Sequence, residues 1–249
     1  MAKTRSEDPI RMFLRARHIE SLPDALDAAS PRPPEDASQA EKKNYAERLS
    51  KALSVLVANC LRPTFPTIFP LPDGSRQESR APTGKGKKKL DVNYSTQELG
   101  LALGVSIKTL NFRDAASSRY TKNATRIDNE LRAEASDYHE RQPFAVMAGL
   151  LFVPVDSCDD GRKTKSSFAQ IVEVLRHRAK RESPKDRDEL FEAIYVGLYD
   201  FNADPPNVIF FDVEQPVPPG GRPGGGQVMD LAALTLRVAG VYKGRNKAS

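Results

Sequence analysis

The sequence predicts an α/β sandwich around a mixed β-sheet flanked by helices. Helix-period and strand-period segments alternate along the chain instead of falling in separate blocks. Several segments are apolar for most of their length, as central strands buried on both faces are. The 249 residues are enough to bury a sizeable core in one main domain. Residues 41–249 are expected to form that domain. Residues 1–40 read as an N-terminal arm, with a helix from about Ile10 to Leu26 and the Pro-rich, acidic linker SPRPPEDASQ.

The first clear element is a helix over 40–62, where Tyr45, Leu49, Ala52, Leu53, Leu56 and Cys60 recur at helical spacing. Pro63 and Pro66 end it. Residues 63–89 are rich in Pro, Gly and Lys without periodicity and read as a surface loop. The loop ends in GKGKKK, Gly84 to Lys89, with four lysines. It is either simply solvated or a flap whose lysines, Lys87 and Lys88 among them, touch phosphates independently of sequence.

Two strands follow. In LDVNYS, Leu90, Val92 and Tyr94 are expected on one face and Asp91, Asn93 and Ser95 on the other. After the turn STQELG, the segment LALGVSIKTLNF reads as a central strand, with Ser106 and Lys108 on one face and Val105, Ile107 and Thr109 on the other. Paired as a hairpin, the two polar faces form one patch. A basic loop carrying Asn111, Arg113, Arg119, Tyr120, Lys122, Asn123 and Arg126 comes next, either solvated or placed to touch phosphates and base edges.

A helix over 125–141, with Thr125 as its N-cap, places Ile127, Leu131, Ala135 and Tyr138 on one stripe. Glu134 falls inside that stripe and Glu130 on its edge. A carboxylate in an apolar face is expensive unless it is paired or binds a cation. An apolar strand over 144–155, a helix over 166–181 and strands over 191–200 and 207–215 complete the alternation. PVPPGGRPGGG at 216–226 reads as a loop, and LAALTLRVAGVY at 231–242 as a final strand or helix.

Composition narrows the function classes. The net charge of +5 and pI of about 9.1 suit a polyanionic partner without requiring one. Cys60 and Cys158 are the only cysteines, which argues against a disulfide scaffold or structural zinc and fits a reducing cytoplasm. No secretory leader is visible, and the longest apolar run, Phe144 to Val155, is too short to span a bilayer, so no membrane partner is expected. No nucleotide cradle or GxSxG elbow occurs. His139 reads as a surface or capping histidine at a helix C-terminus, and His18 and His177 as surface residues. The basic cluster at 176–187 reads as a solvated helix end.

What remains is chemistry on sheet and helix. Hydrolysing a phosphodiester needs a water made nucleophilic and a charged transition state neutralised. Mg²⁺ held by carboxylates does both, and a nearby lysine orients the water and stabilises charge. Asp91 and Lys108 sit on adjacent strands, and the next helix offers Glu130 or Glu134. Glu98, in the hairpin turn, is too far along the strand.

This arrangement resembles the PD-(D/E)XK nuclease superfamily, Type II restriction endonucleases in particular. The resemblance covers about residues 40–155: the long helix, Asp91 in a strand, Ser106-Ile107-Lys108 in the next, and the helix–strand pair after it. Two positions depart from the pattern, Leu90 where proline is usual and Ser106 where an acid is usual. Some members carry a serine there and recruit a glutamate from the following helix. The resemblance implies a restriction-endonuclease-like sandwich with its catalytic core at about 41–155. It implies a Mg²⁺-dependent endonuclease, with Mn²⁺ as a substitute, hydrolysing double-stranded DNA in restriction. Asp91, Lys108 and Glu130 would be catalytic, with Glu134 as the fallback acid. Asp91, Glu130 and Glu47 would hold the metal, and a homodimer would match a two-fold DNA site. Lys87, Lys88, Asn111, Arg113, Arg119, Lys122 and Arg126 are the candidate DNA contacts. Two other readings stand beside it: a non-catalytic DNA-binding or regulatory module on the same fold, and an unrelated α/β enzyme acting on a small molecule.

Overall fold

The computed structural model describes residues 18–77, 79–83, 86–161 and 165–246, with the side chains of 79–83 and 86–88 left aside. Nothing in the N-terminal half of the expected Ile10–Leu26 helix lies within the described residues. The first helix, α1 (Leu22–Ala29), begins at Ser21, whose hydroxyl and the Asp24 carboxylate form a reciprocal capping box. Ser38 and Glu41 cap α2 (Gln39–Leu61) in the same way. The 19–29 segment is not a detached arm: Ile19, Leu22, Ala25, Ala28 and Ala29 are buried in the core. Arg32 fixes the chain after it, its guanidinium 4.6 Å and 4.5 Å from the rings of Phe112 and Phe201.

A two-stranded hairpin, β1 (Ser79–Thr83) and β2 (Gly86–Leu90), occupies the region expected to be an unstructured loop. Then come β3 (Val92–Thr96), β4 (Gly100–Thr109), α3 (Ala124–His139), β5 (Val146–Pro154), α4 (Ser167–Arg176), β6 (Ala193–Asp200), β7 (Asn207–Asp212), β8 (Val228–Met229) and α5 (Leu231–Arg245). Gly100, at φ +68°, closes the β3–β4 turn in a conformation that side-chain-bearing residues resist. The ambiguous 231–242 segment is helical, and α3 is entered through a short 3₁₀ turn, Thr121–Asn123, rather than capped by Thr125.

The six-stranded sheet has the order β3-β4-β5-β6-β7-β8. β4, β5 and β6 are parallel neighbours, joined by the α3 and α4 crossovers, and antiparallel strands flank them on both sides. This is a mixed sheet in an α/β sandwich. One face packs on α1, α2 and α5 through residues such as Leu103, Val105, Leu150, Phe152 and Tyr195. The other packs on α3 and α4 through Met147, Leu151, Val153, Ile194 and Phe211. Strand alternation distributes each strand between the two. It fails at two places: Leu101 packs with the α3 side and Leu103 with the α2 side, across the register shift opposite Tyr94 and Ser95, and Leu90 packs with the α3 side while Val92 packs with the α2 side, because the backbone bends at Asp91. Among the described residues no helix is long and apolar enough to cross a membrane.

A charged node is buried within this frame. The Glu192 carboxylate accepts from the Met147 amide at 2.8 Å, Arg181 at 3.1 Å and Arg245 at 3.0 Å. His139 Nε2 lies 3.4 Å from the same carboxylate, and its Nδ1 lies 3.0 Å from the Asp188 carbonyl. His139 is therefore an interior residue of the α3 C-terminus, not a surface one, and Arg181 is likewise enclosed. Arg176 and Arg178 of the 176–187 cluster are tied down too, on the carbonyls of Val213 and Gln215 and on Asp128, while His177, Lys180, Lys185 and Arg187 are exposed as a solvated helix end would be. Removing one partner of a buried ion pair strands the other. Glu192→Ala is expected to lower the unfolding free energy by ~3–5 kcal/mol, measured by urea titration. A loss under about 1 kcal/mol, the size of a surface pair, would contradict this account.

Candidate active site

The β3–β4 ladder begins at Val92 opposite Val105 and runs from there toward the turn. Beyond Val105, β4 continues to Thr109 past the start of β3. At that step the Ile107 amide donates to an Asp91 carboxylate oxygen at 2.7 Å. A side chain thus takes the place of a backbone acceptor, and the chain turns away into the β1–β2 hairpin. Tyr138 of α3 holds the departing strand, its hydroxyl donating to the Lys89 carbonyl at 3.2 Å.

Ser106 and Lys108 project to the α3 side. Val105 and Ile107 go into the opposite core, as strand alternation requires. Glu134 meets both polar side chains: Ser106 Oγ donates to Oε2 at 2.5 Å and Lys108 Nζ to Oε1 at 2.5 Å. Glu130, one helical turn earlier, lies 3.7 Å from Lys108 Nζ and is engaged by Arg126 at 3.0 Å. Of the two glutamates it is therefore Glu134, the fallback acid, that the fold seats against Ser106 and Lys108. Asp91, Lys108 and Glu134 share one cleft of about 240 Å³ with Ser50, Lys89, Leu90 and Ile107.

A smaller hollow of about 130 Å³ adjoins it on the α2 side, lined by Glu47, Ser50, Lys51, Ser54, Gln77 and Asp91. Glu47 lies there, paired with Lys51 at 3.0 Å. Gln77 is buried, its Nε2 donating to the Lys51 carbonyl, while its Oε1 has no hydrogen-bond partner among the described residues. Asp91 and Ser50 border both spaces. Glu98 sits in the exposed hairpin turn, at the other end of β3 from Asp91.

Electrostatics knit the site. Burial by itself pulls the Lys108 pKa down, but contact with Glu134, then the charges of Asp91 and Glu130, outweigh it and leave the pKa raised. Lys108 is an ammonium at neutral pH. Burial pushes the Tyr138 phenol up, and the charges of Glu134 and Asp91 push it further. The cleft is a carboxylate-rich field holding one enclosed cation.

The candidate DNA contacts fare unevenly. The side chains of Lys87 and Lys88 lie outside the described residues. Asn111 is buried, accepting from Tyr199 and donating to Thr109, and cannot reach a ligand. Arg113 pairs with Asp156 at 2.6 Å. Arg119 lies 3.9 Å from Asp160 and also donates to the Lys165 carbonyl. Both brace the loop. Lys122 and Arg126 stay exposed, 70% and 65%, though each has an acidic neighbour, Asp114 and Glu130. Hydrogen bonds from Lys122 and from the Ser117 amide hold the Asp114 carboxyl down at about 2. Sequence reasoning passed over Gln77 and the anchoring role of Tyr138. Tyr138 lies one turn from Glu134, the spacing that would have flagged it.

Comparisons with protein-family models, with curated proteins and with solved structures give no match for this chain.

The coupling of Lys108 to Glu134 fixes a pH signature. A lysine raised by its partner stabilises the fold fully below its unfolded pKa, and loses that contribution as pH rises through the folded one. The stability difference between wild type and Lys108→Met is expected to be flat through neutral pH and to shrink only above the ordinary lysine range. Glu134→Gln is expected to lower the Lys108 pKa, read from the ¹³Cε shift of that side chain. An unmoved titration would refute the coupling.

Proposed function

We propose that the chain is a divalent-metal-dependent DNA endonuclease of restriction type. One arrangement carries the reading: Asp91, Lys108 and Glu134 open onto a single cleft at the place where the sheet edge parts. The bend between β2 and β3, the strand β4 and the helix α3 each supply one charged group, and backbone or hydroxyl donors pin both acids.

The donor set suits Mg²⁺. That ion keeps several waters and takes one or two carboxylates rather than a full protein cage. Asp91 and Glu134 are the pair that would hold the ion, with Glu47 and the unpartnered Gln77 Oε1 as further hard oxygens beside Asp91. When bound, the ion would polarise the scissile phosphate and acidify a water.

The chain's own groups do the rest. The Ile107 amide keeps Asp91 aimed into the cleft, and the Ser106 hydroxyl keeps Glu134 there. Lys108 enters already protonated. Two of its ammonium hydrogens are left after Glu134 takes one, and these are offered to a phosphate oxygen and to the attacking water. It therefore orients and neutralises and does not remove the proton itself. The water oxygen forms the new bond to phosphorus as the bond to the leaving sugar oxygen breaks; the water's proton passes to solvent in the open cleft, and the leaving oxygen takes a proton from solvent.

A second reading has one observation in its favour. Both Glu134 oxygens already accept hydrogen bonds within the chain, which suits a metal-free, DNA-binding module. Calorimetry with Mn²⁺ separates the two: binding lost in Asp91→Ala fits the nuclease, and no binding by wild type alongside retained DNA affinity fits the module.

Plasmid cleavage in Mg²⁺, on both unmodified and base-modified DNA, tests the activity. Asp91→Ala and Lys108→Ala are each expected to cut ~1000-fold more slowly, the equivalent of several kcal/mol of lost charge stabilisation. Cleavage by Asp91→Ala at the wild-type rate would sink the proposal.

A further inference from the structure

One charged member of the cleft has no part in the hydrolysis so far. Lys89 lines it together with Asp91, Lys108 and Glu134. It is the penultimate residue of β2, and its backbone is held at two points. Its carbonyl accepts from the hydroxyl of buried Tyr138 at 3.2 Å, and the next residue, Leu90, is buried in the core on the α3 side. Strand alternation turns the Lys89 side chain away from that core, and the residue is exposed. The cleft thus has an ammonium on a fixed backbone, within reach of substrate. A lysine of a solvated loop touches phosphates without such a fixed place.

Charge says what it does there. On the cleft lining, Asp91 and Glu134 outnumber Lys108 by one negative charge, and Glu130, beside Lys108, is answered by Arg126 at 3.0 Å. With a divalent ion counted in, that becomes one positive charge, which matches the single negative charge of a bound phosphodiester. The transition state carries more. Once the attacking water has lost its proton to solvent, the reacting group bears a second negative charge that this matched set leaves unanswered. A preorganised cation gains most from charge that develops only in the transition state. Among the lining residues, Lys89 is the remaining cation.

We propose that Lys89 is a catalytic residue that binds the scissile phosphate, and that Tyr138 is the positioning residue that sets it there through the Lys89 carbonyl. This role rests on the proposed hydrolysis. The Lys89 ammonium donates to a non-bridging phosphate oxygen and keeps its proton throughout. It gives none to the leaving oxygen and takes none from the water.

Two measurements on the full chain test it: single-turnover cleavage of the unmodified and base-modified plasmids, and the salt dependence of DNA binding without divalent metal. Lys89→Gln keeps a hydrogen-bond donor and drops the charge. It is expected to cut ~100-fold more slowly at saturating DNA and to lower the salt slope of binding by about one phosphate contact. Lys89→Arg keeps the charge and is expected to cut ~10-fold faster than Lys89→Gln. Tyr138→Phe keeps the ring and removes the tether. Its expected loss of ~10-fold vanishes when Lys89→Gln is already present, whereas a merely structural tyrosine would cost the same in both backgrounds. Equal rates for wild type and Lys89→Gln, or a Tyr138→Phe loss of one size in both backgrounds, would overturn the proposal. If the wild type binds DNA without cutting it, the nuclease reading falls and the slope decides. A drop of about one then keeps the phosphate contact, and no drop overturns it. A wild type that neither binds nor cuts overturns both.

Discussion

The hydrogen bond from the Ile107 amide to Asp91 is the constraint on which the rest of the site depends. An edge strand that simply stopped would leave the β4 amides bare; one that continued would fill the space with backbone. Asp91 does neither. Its carboxylate satisfies the amide while the main chain bends away, and the resulting gap lies between α2 on one face and α3 on the other. Lys108, the one charged side chain of β4, is otherwise an ordinary strand residue. It becomes part of a candidate site because this gap opens beside it.

The same bend explains how groups from both layers reach one region. Side chains on a sheet normally belong to one face or the other. At Asp91 the distinction lapses: its cleft takes Lys108 and Glu134 from the α3 side, and its neighbouring hollow takes Glu47, Lys51 and Gln77 from the α2 side. Enclosing a lysine among three carboxylates costs desolvation that only close pairing can offset. The 2.5 Å contact to Glu134 is that pairing. The Ser106 hydroxyl occupies the other glutamate oxygen, so β4 side chains hold both oxygens of this helix carboxylate.

Local periodicity made much of this legible. The α2 stripe, the opposed faces of Ser106 and Ile107, and the position of Glu134 within the Ile127–Tyr138 stripe all follow from 3.6- and 2-residue repeats. What periodicity missed has physical causes. The β1–β2 hairpin carries Pro, Gly and Lys where alternation would have shown. Leu90 was placed with Val92 because a pattern of period 2 cannot announce a bend. Residues 231–242 are apolar almost throughout, which leaves helix and strand indistinguishable. His139, Arg181 and Asn111 look like surface residues because their partners, Glu192 and Tyr199, are 11 to 88 positions away. Choosing between Glu130 and Glu134 required the helix's rotation against β4, a tertiary quantity.

The Glu192 carboxylate ties together the start of β5 and the end of α5, which share no local structure, and His139 at the end of α3 packs 3.4 Å from it. A knot at the centre of a laminate stops its outer plies from peeling singly. Helices that would each fray from the tip are clamped at their last turns, so the deepest amides of both layers should exchange with deuterium as one cooperative unit.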